Sequence, residues 1–133
     1  MKKELEIVIK EIKQEMDIRL KRPDDSNPDS YMGWCKEASE IALEILHKEK
    51  YKEYQLGKCF IDDVDHWVVF NKIKYDSSTP YYSGVIDMTA IQFHNDPNVK
   101  DYQTEFKKYT FGKIPDEHSK KHYMVKSEDV PLN

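Results

Sequence analysis

The order of the hydrophobic patterns along the chain is the feature that most constrains its fold. Two segments with helical spacing of apolar residues come first, and short segments typical of β-strands follow them. The first helix is predicted over about Lys3 to Leu20, and the second begins at Cys35. Helices that precede a run of neighbouring strands are typical of an α+β domain. We therefore predict N-terminal helices packed on one side of a small antiparallel sheet.

The predicted strands lie close together in the sequence. Tyr54–Ile61 and His66–Phe70 are rich in aromatic and β-branched residues, and an Asp-rich turn separates them. Asn71-Lys72 is typical of a tight turn, after which Ile73 to Asp76 is predicted to return as the partner of the second strand. A Pro- and Asp-rich loop, Lys21 to Gly33, is predicted to lead into the second helix.

Size and charge exclude several classes of function. At 133 residues, the chain is predicted to be one domain spanning residues 1–133. Its 21 basic and 25 acidic residues give a net charge of −4, so we expect binding neither to nucleic acid nor to a membrane. The sequence has no apolar run typical of a signal peptide or a membrane span, and no Gly-rich phosphate loop, so we expect a cytoplasmic protein with no cofactor. Secretion or injection as an effector without a visible signal peptide is an open alternative.

The remaining cysteine and two histidines are predicted to be structural. Cys59 is expected as a half-buried strand residue without an acid–base partner, and a disulfide with Cys35 is not expected. His118 and His122 have helical i,i+4 spacing, but no thiol or carboxylate pattern typical of a metal site accompanies them in sequence. We therefore predict a solvated surface at this pair and no bound metal.

Cys35, His66 and Asp76 follow each other in an order that suits thiol chemistry. Cys35 lies in the first turn of the predicted helix, where unpaired N–H groups and the helix dipole favour a thiolate. If the hairpin turns at Asn71-Lys72, Asp76 stands beside His66 and can orient its imidazole as a base for Cys35. Taken alone, Cys35 is more typical of a cysteine packed in the core, and His66 is more typical of a histidine on the surface. Their combination with Asp76 favours a catalytic site. Trp34 and Trp67 flank the two key residues and are candidate walls of a substrate cleft, with plain packing as the alternative.

Four segments of the chain stand out together: Gly33-Trp34-Cys35-x-x-Ala38-Ser39-x-x-Ala42-Leu43, Asp65-His66-Trp67-Val68-Val69, Tyr75-Asp76-Ser77-Ser78-Thr79 and Ile86-Asp87-Met88-Thr89-Ala90-Ile91-Gln92-Phe93. They resemble the papain-like cysteine hydrolase superfamily, and within it the small bacterial papain-fold toxin and transglutaminase-like branches. The resemblance implies a papain-like or transglutaminase-like core with a Cys–His–Asp triad. In such families the acid often stands in the phrase Asp-x-Thr-Ala-x-Gln-Phe, which fits Asp87, whereas hairpin spacing favours Asp76. We predict Asp76 as the acid and retain Asp87 as the alternative.

The predicted activity is acyl transfer from a carboxamide or peptide bond of a protein or peptide substrate. Cys35 is the nucleophile, His66 the base and then the acid, and the backbone N–H of Cys35 the candidate oxyanion donor. A deamidase, a protease and a transglutaminase-like enzyme remain alternatives. A non-catalytic protein-interaction module on a papain-like scaffold is the alternative of a different class.

Overall fold

A computed structural model describes residues 2–20 and 33–126, without the side chains of residues 100–103. Two long helices open the fold, α1 over Leu5–Leu20 and α2 over Cys35–Lys48, so both predicted helices are confirmed. The predicted loop Lys21 to Gly33 lies, except for Gly33, outside the described residues. Gly33 has a φ of 83°, a left-handed conformation that favours glycine, and it directs the chain into α2. Within the described ranges, no helix is both long and apolar enough to cross a membrane.

In the described part of the chain, the sheet contains five antiparallel strands, which confirms the α+β prediction. Its long hairpin consists of β1, Tyr54–Ile61, and β2, Val64–Asn71. The shorter strands are β3, Val85–Asp87, β4, Gly112–Lys113, and β5, Met124–Val125. Their spatial order is β4-β3-β2-β1-β5, so β2 lies at the centre and is hydrogen-bonded on both sides.

The predicted second hairpin, with its turn at Asn71-Lys72 and its return over Ile73 to Asp76, is wrong. The side-chain oxygen of Asn71 instead accepts hydrogen bonds from the backbone N–H groups of Ile73, at 3.0 Å, and Lys74, at 3.3 Å. This local turn sends the chain away from the sheet. The strand that pairs with β2 on this side is β3, in which Val85 stands opposite Phe70.

Both faces of the sheet are covered, whereas the sequence predicted helices on one side. A first core forms where α1 and α2 pack on the sheet, and it includes Ile12, Leu46 and Val69. A second core includes Val68 of β2 together with Phe93 and Phe106, which come from the short helical segments after β3. Those segments are two 3₁₀ helices, Ala90–His94 and Pro97–Tyr102, and two short α-helices, α3, Gln103–Phe106, and α4, Asp116–His122.

Candidate active site

His66 is the centre of a buried polar cluster. It lies near the start of β2 and has no solvent exposure. Its Nε2 is 2.8 Å from Oδ2 of Asp87, which is also fully buried. The register explains this contact: Val69 pairs with Ile86, which places Asp87 opposite Val68, and side chains two residues apart on a strand share a face.

The carboxylate of Asp87 accepts hydrogen bonds on both of its oxygens. Its Oδ2 accepts a hydrogen bond from the hydroxyl of Tyr123 at 2.8 Å, in addition to the contact with His66. Its Oδ1 accepts from the backbone N–H of Thr89 at 3.0 Å. Hydrogen bonds to a carboxylate favour its charged form and compensate for its removal from water. The cluster therefore holds a buried negative charge directly against the imidazole.

This buried charge determines the basicity of His66. Burial alone would lower the pKa of His66, but the charge and the hydrogen bond of Asp87 outweigh it and raise that pKa to about 10. A weaker effect of the same sign on the pKa of His66 comes from the nearby thiol of Cys35. An imidazole this basic is a strong acceptor for a thiol proton.

Cys35 meets this imidazole from the beginning of α2. It is the first residue of the helix and is half-buried. The first turn of a helix has backbone N–H groups without helical partners, and these favour a nearby negative charge. Nε2 of His66 faces Asp87, and the thiol of Cys35 is close enough to influence the imidazole. The structure thus brings together Cys35, His66 and Asp87.

Gln92 is a member of the cluster that sequence reasoning missed as a functional residue. Its side-chain Nε2 is 2.9 Å from Nδ1 of His66, and Gln92 is almost fully buried. Together with Asp87 it fixes the plane of the imidazole from both ring nitrogens. The only signal in the sequence was its place in the segment Ile86 to Phe93, where Gln92 follows Asp87 by five residues.

The prediction that Asp76 stands beside His66 is wrong. Asp76 is exposed, and its carboxylate accepts hydrogen bonds from the N–H of Ser78 at 2.9 Å and from its hydroxyl at 2.7 Å. These hydrogen bonds lower the pKa of Asp76 and are typical of a turn-forming aspartate. The carboxylate that meets His66 is that of the alternative residue, Asp87.

The two tryptophans and Cys59 have distinct surroundings. Trp34 packs, partly buried, against the core formed by α1 and α2. Trp67 is also partly buried, and the Nζ of Lys36 lies 5.3 Å from its ring centroid. Their role as walls of a substrate cleft stays a prediction. Cys59 is a strand residue as predicted, but fully buried, and burial raises its thiol pKa well above the usual value, which suits a structural residue.

The prediction of a solvated surface at His118 and His122 is wrong. The two side chains are only 2% and 5% exposed, and both lie close to the carboxylate of Glu105. Glu105 belongs to α3 and the histidines to α4, so no local sequence pattern indicates this contact.

Comparisons with protein-family models, with curated proteins and with solved structures find no match for this chain. The resemblance to papain-like cysteine hydrolases therefore stays a prediction from the segments quoted above. The described residues define an α+β chain in which a half-buried thiol, a buried imidazole and a buried carboxylate lie together.

Proposed function

We propose that this chain is a cysteine-dependent acyl-transfer enzyme acting on a carboxamide or peptide bond of a protein or peptide. Cys35 is the nucleophile, His66 the general base and acid, and Asp87 the residue that orients and charges the imidazole. The observation that carries the proposal is the fully buried His66–Asp87 pair at 2.8 Å, with the thiol of Cys35 at the same ring. A buried ion pair with no chemical role is costly, because removing two charges from water opposes folding.

The first half of the reaction transfers the acyl group to the thiol. In the resting enzyme the imidazolium of His66 faces the thiolate of Cys35, and this thiolate attacks the carbonyl carbon. The oxygen becomes negatively charged and accepts a hydrogen bond from the backbone N–H of Cys35, which has no helical partner at this position. His66 then donates its proton to the leaving nitrogen, the C–N bond breaks, and a thioester remains on Cys35.

The second half releases the acyl group. His66 takes a proton from water or from an amine, which attacks the thioester, and the thiolate of Cys35 is restored. Asp87 stays ionised throughout and stabilises the imidazolium each time it forms. Water acting on a side-chain acyl group completes a deamidation, water acting on a backbone acyl group completes a proteolysis, and an amine completes a transglutamination.

The proposal is tested by three readouts on one protein substrate such as casein: ammonia release, appearance of new peptide termini, and incorporation of a fluorescent amine. We expect one of these activities, reduced at least about a thousandfold by Cys35→Ala. Cys59→Ala is the matched control, because it also deletes one thiol, and it is expected to retain the activity if the fold is intact.

Two results would contradict the proposal. One is an activity that survives in Cys35→Ala. The other is the absence of all three activities across a range of proteins and peptides, combined with a Cys35 that alkylates no faster than an ordinary exposed thiol; this result would favour the non-catalytic interaction module.

A further inference from the structure

A second cluster of chemically active side chains lies outside the proposed active site. Glu105 from α3 meets His118 and His122 from α4, which are one helical turn apart. Oε1 of Glu105 is 3.3 Å from Nδ1 of His118, and Oε2 is 3.1 Å from Nε2 of His122. One ligand atom from each residue can be chosen so that all three lie within 4.8 Å of one another.

The hydrogen bonding of His118 is unusual for a buried histidine. Its side chain is nearly inaccessible to solvent, yet neither ring nitrogen has a hydrogen-bond partner among the described residues. Nδ1 is close to the carboxylate of Glu105, but the approach does not have the direction of an N–H···O hydrogen bond. Buried polar atoms are almost always satisfied, and an ion is one of the ordinary explanations when a protein partner is missing.

The spacing and chemistry of the three groups also fit a metal ion, which would replace the hydrogen bond between Nε2 of His122 and Oε2 of Glu105. In a tetrahedral zinc site with bonds of about 2.0–2.1 Å, neighbouring ligand atoms are about 3.3 Å apart. Oε2 of Glu105 is 3.1 Å from Nε2 of His122 and Oε1 is 3.3 Å from Nδ1 of His118, so each imidazole nitrogen is close to this separation from one of the two carboxylate oxygens. Two imidazoles and one carboxylate form a donor set that binds zinc in proteins, with the remaining position open to water.

The surroundings hold His118 in place and leave the cluster open to solvent on one side. The ring of Phe106 lies 4.5 Å from that of His118, centroid to centroid, and restricts its orientation. Glu105 is partly exposed, which gives an ion a path from solvent.

We propose that Glu105, His118 and His122 form a binding site for a divalent transition-metal ion of the zinc type. Nδ1 of His118, Nε2 of His122 and a carboxylate oxygen of Glu105 are the ligands. The ion links α3 to α4, two short helices that cannot be stable alone. Tyr123 directly follows His122 and donates its hydroxyl to Asp87, so the ion also fixes the end of the chain segment that supports that carboxylate.

The test is metal binding by the full chain, first purified with a chelator and then titrated with ZnCl₂ and, separately, CoCl₂. We expect one Zn²⁺ per chain by calorimetry, a visible Co²⁺ spectrum without a thiolate charge-transfer band, and a rise in Tm with Zn²⁺ concentration. Glu105→Gln and His122→Gln are each expected to weaken zinc binding by at least about 100-fold. Mutation of a residue that only hydrogen-bonds to a metal ligand already lowers metal affinity by about 10–100-fold.

Two control variants test whether the ion binds at the Glu105 cluster and not elsewhere. His94→Gln makes the same change as His122→Gln at a histidine whose Nε2 contacts the carbonyl of Tyr109 at 2.9 Å, outside the cluster, and it is expected to bind normally. Cys35→Ser removes the thiol of the proposed active site and is also expected to bind normally. If His122→Gln does not fold, Glu105→Gln decides the question, because its side chain is partly exposed and keeps its shape.

Three results would overturn the inference. They are the absence of binding in the unmodified protein, binding of equal strength in Glu105→Gln, and binding that disappears in Cys35→Ser together with a thiolate charge-transfer band. The last result would place the ion at the Cys35–His66 site.

Discussion

Replacing Asp87 by Asn removes the buried charge that makes His66 basic while keeping the size of the side chain. With a pKa of about 10, the imidazole is about 99% protonated at pH 8. At the ordinary pKa of about 6.5 it would be only about 3% protonated, and burial lowers this further. In Asp87→Asn at pH 8, the fraction of His66 present as the imidazolium that stabilises a Cys35 thiolate is therefore lower by at least about 30-fold. We expect the rate of Cys35 alkylation by iodoacetamide at pH 8 to fall by at least about tenfold in Asp87→Asn.

The matched control is Asp76→Asn, which makes the same chemical change at the exposed aspartate. Its carboxylate is bonded to Ser78 and has no contact with His66, so the alkylation rate is expected to stay within about twofold of the original. Rates are measured by mass spectrometry of the Cys35 peptide in proteins that circular dichroism shows to be folded. An equal rate in Asp87→Asn and the unmodified protein, or a loss confined to Asp76→Asn, would refute the role assigned to Asp87.

Three further predictions concern stability, and each is checked by urea unfolding. Tyr123→Phe removes a donor from the buried carboxylate of Asp87 and is expected to cost about 1–3 kcal/mol; an unchanged midpoint would contradict the hydrogen bond. Gly57→Ala places a Cβ 2.9 Å from the ring of Tyr82 and is expected to cost about 1–3 kcal/mol, so a neutral effect would show that the two strands and the ring are less closely packed. The pKa of His66 is raised from 6.5 to about 10, so protonated His66 stabilises the fold fully below pH 6.5, and this stabilisation is lost as the pH rises through 10. The urea midpoint of the unmodified protein should therefore fall more steeply from about pH 7 to pH 10 than the midpoint of His66→Gln.

Local patterns were sufficient to predict the elements that interact mainly with their neighbours in sequence. The apolar spacing from Leu5 to Leu20 predicted α1, because the residues on the buried face of a helix recur every three or four positions in the sequence. The run Tyr54–Ile61 predicted β1 with its bounds. The position of Cys35 at the start of α2 followed from the same reasoning.

The identity of the acid depended on a pairing between distant segments. Asn71-Lys72 resembles a hairpin turn, and this local signal favoured Asp76. In the fold, the Asn71 side chain bonds to its own loop, and the partner strand begins only at Val85. The register of that later strand, which no local pattern specifies, brings Asp87 to His66.

The contacts of the short C-terminal helices were not predictable for the same reason. Glu105 is thirteen positions before His118 in the sequence, with β4 between them, and neither α3 nor α4 has enough residues to show a clear period. Tyr123 likewise reaches Asp87 across 36 positions. Tertiary packing, not local preference, determines these side chains.

The most direct test of the central claim is the pH dependence of Cys35 alkylation, with Cys59 as an internal reference and His66→Gln as the comparison. Because the imidazole holds its proton up to a pKa of about 10, rapid labelling of Cys35 is expected to persist well below pH 8 and to be lost in His66→Gln. Cys59, which is fully buried, is expected to label slowly in both proteins. Slow labelling of both cysteines that rises only near the pKa of an ordinary thiol, and that His66→Gln leaves unchanged, would contradict an activated Cys35.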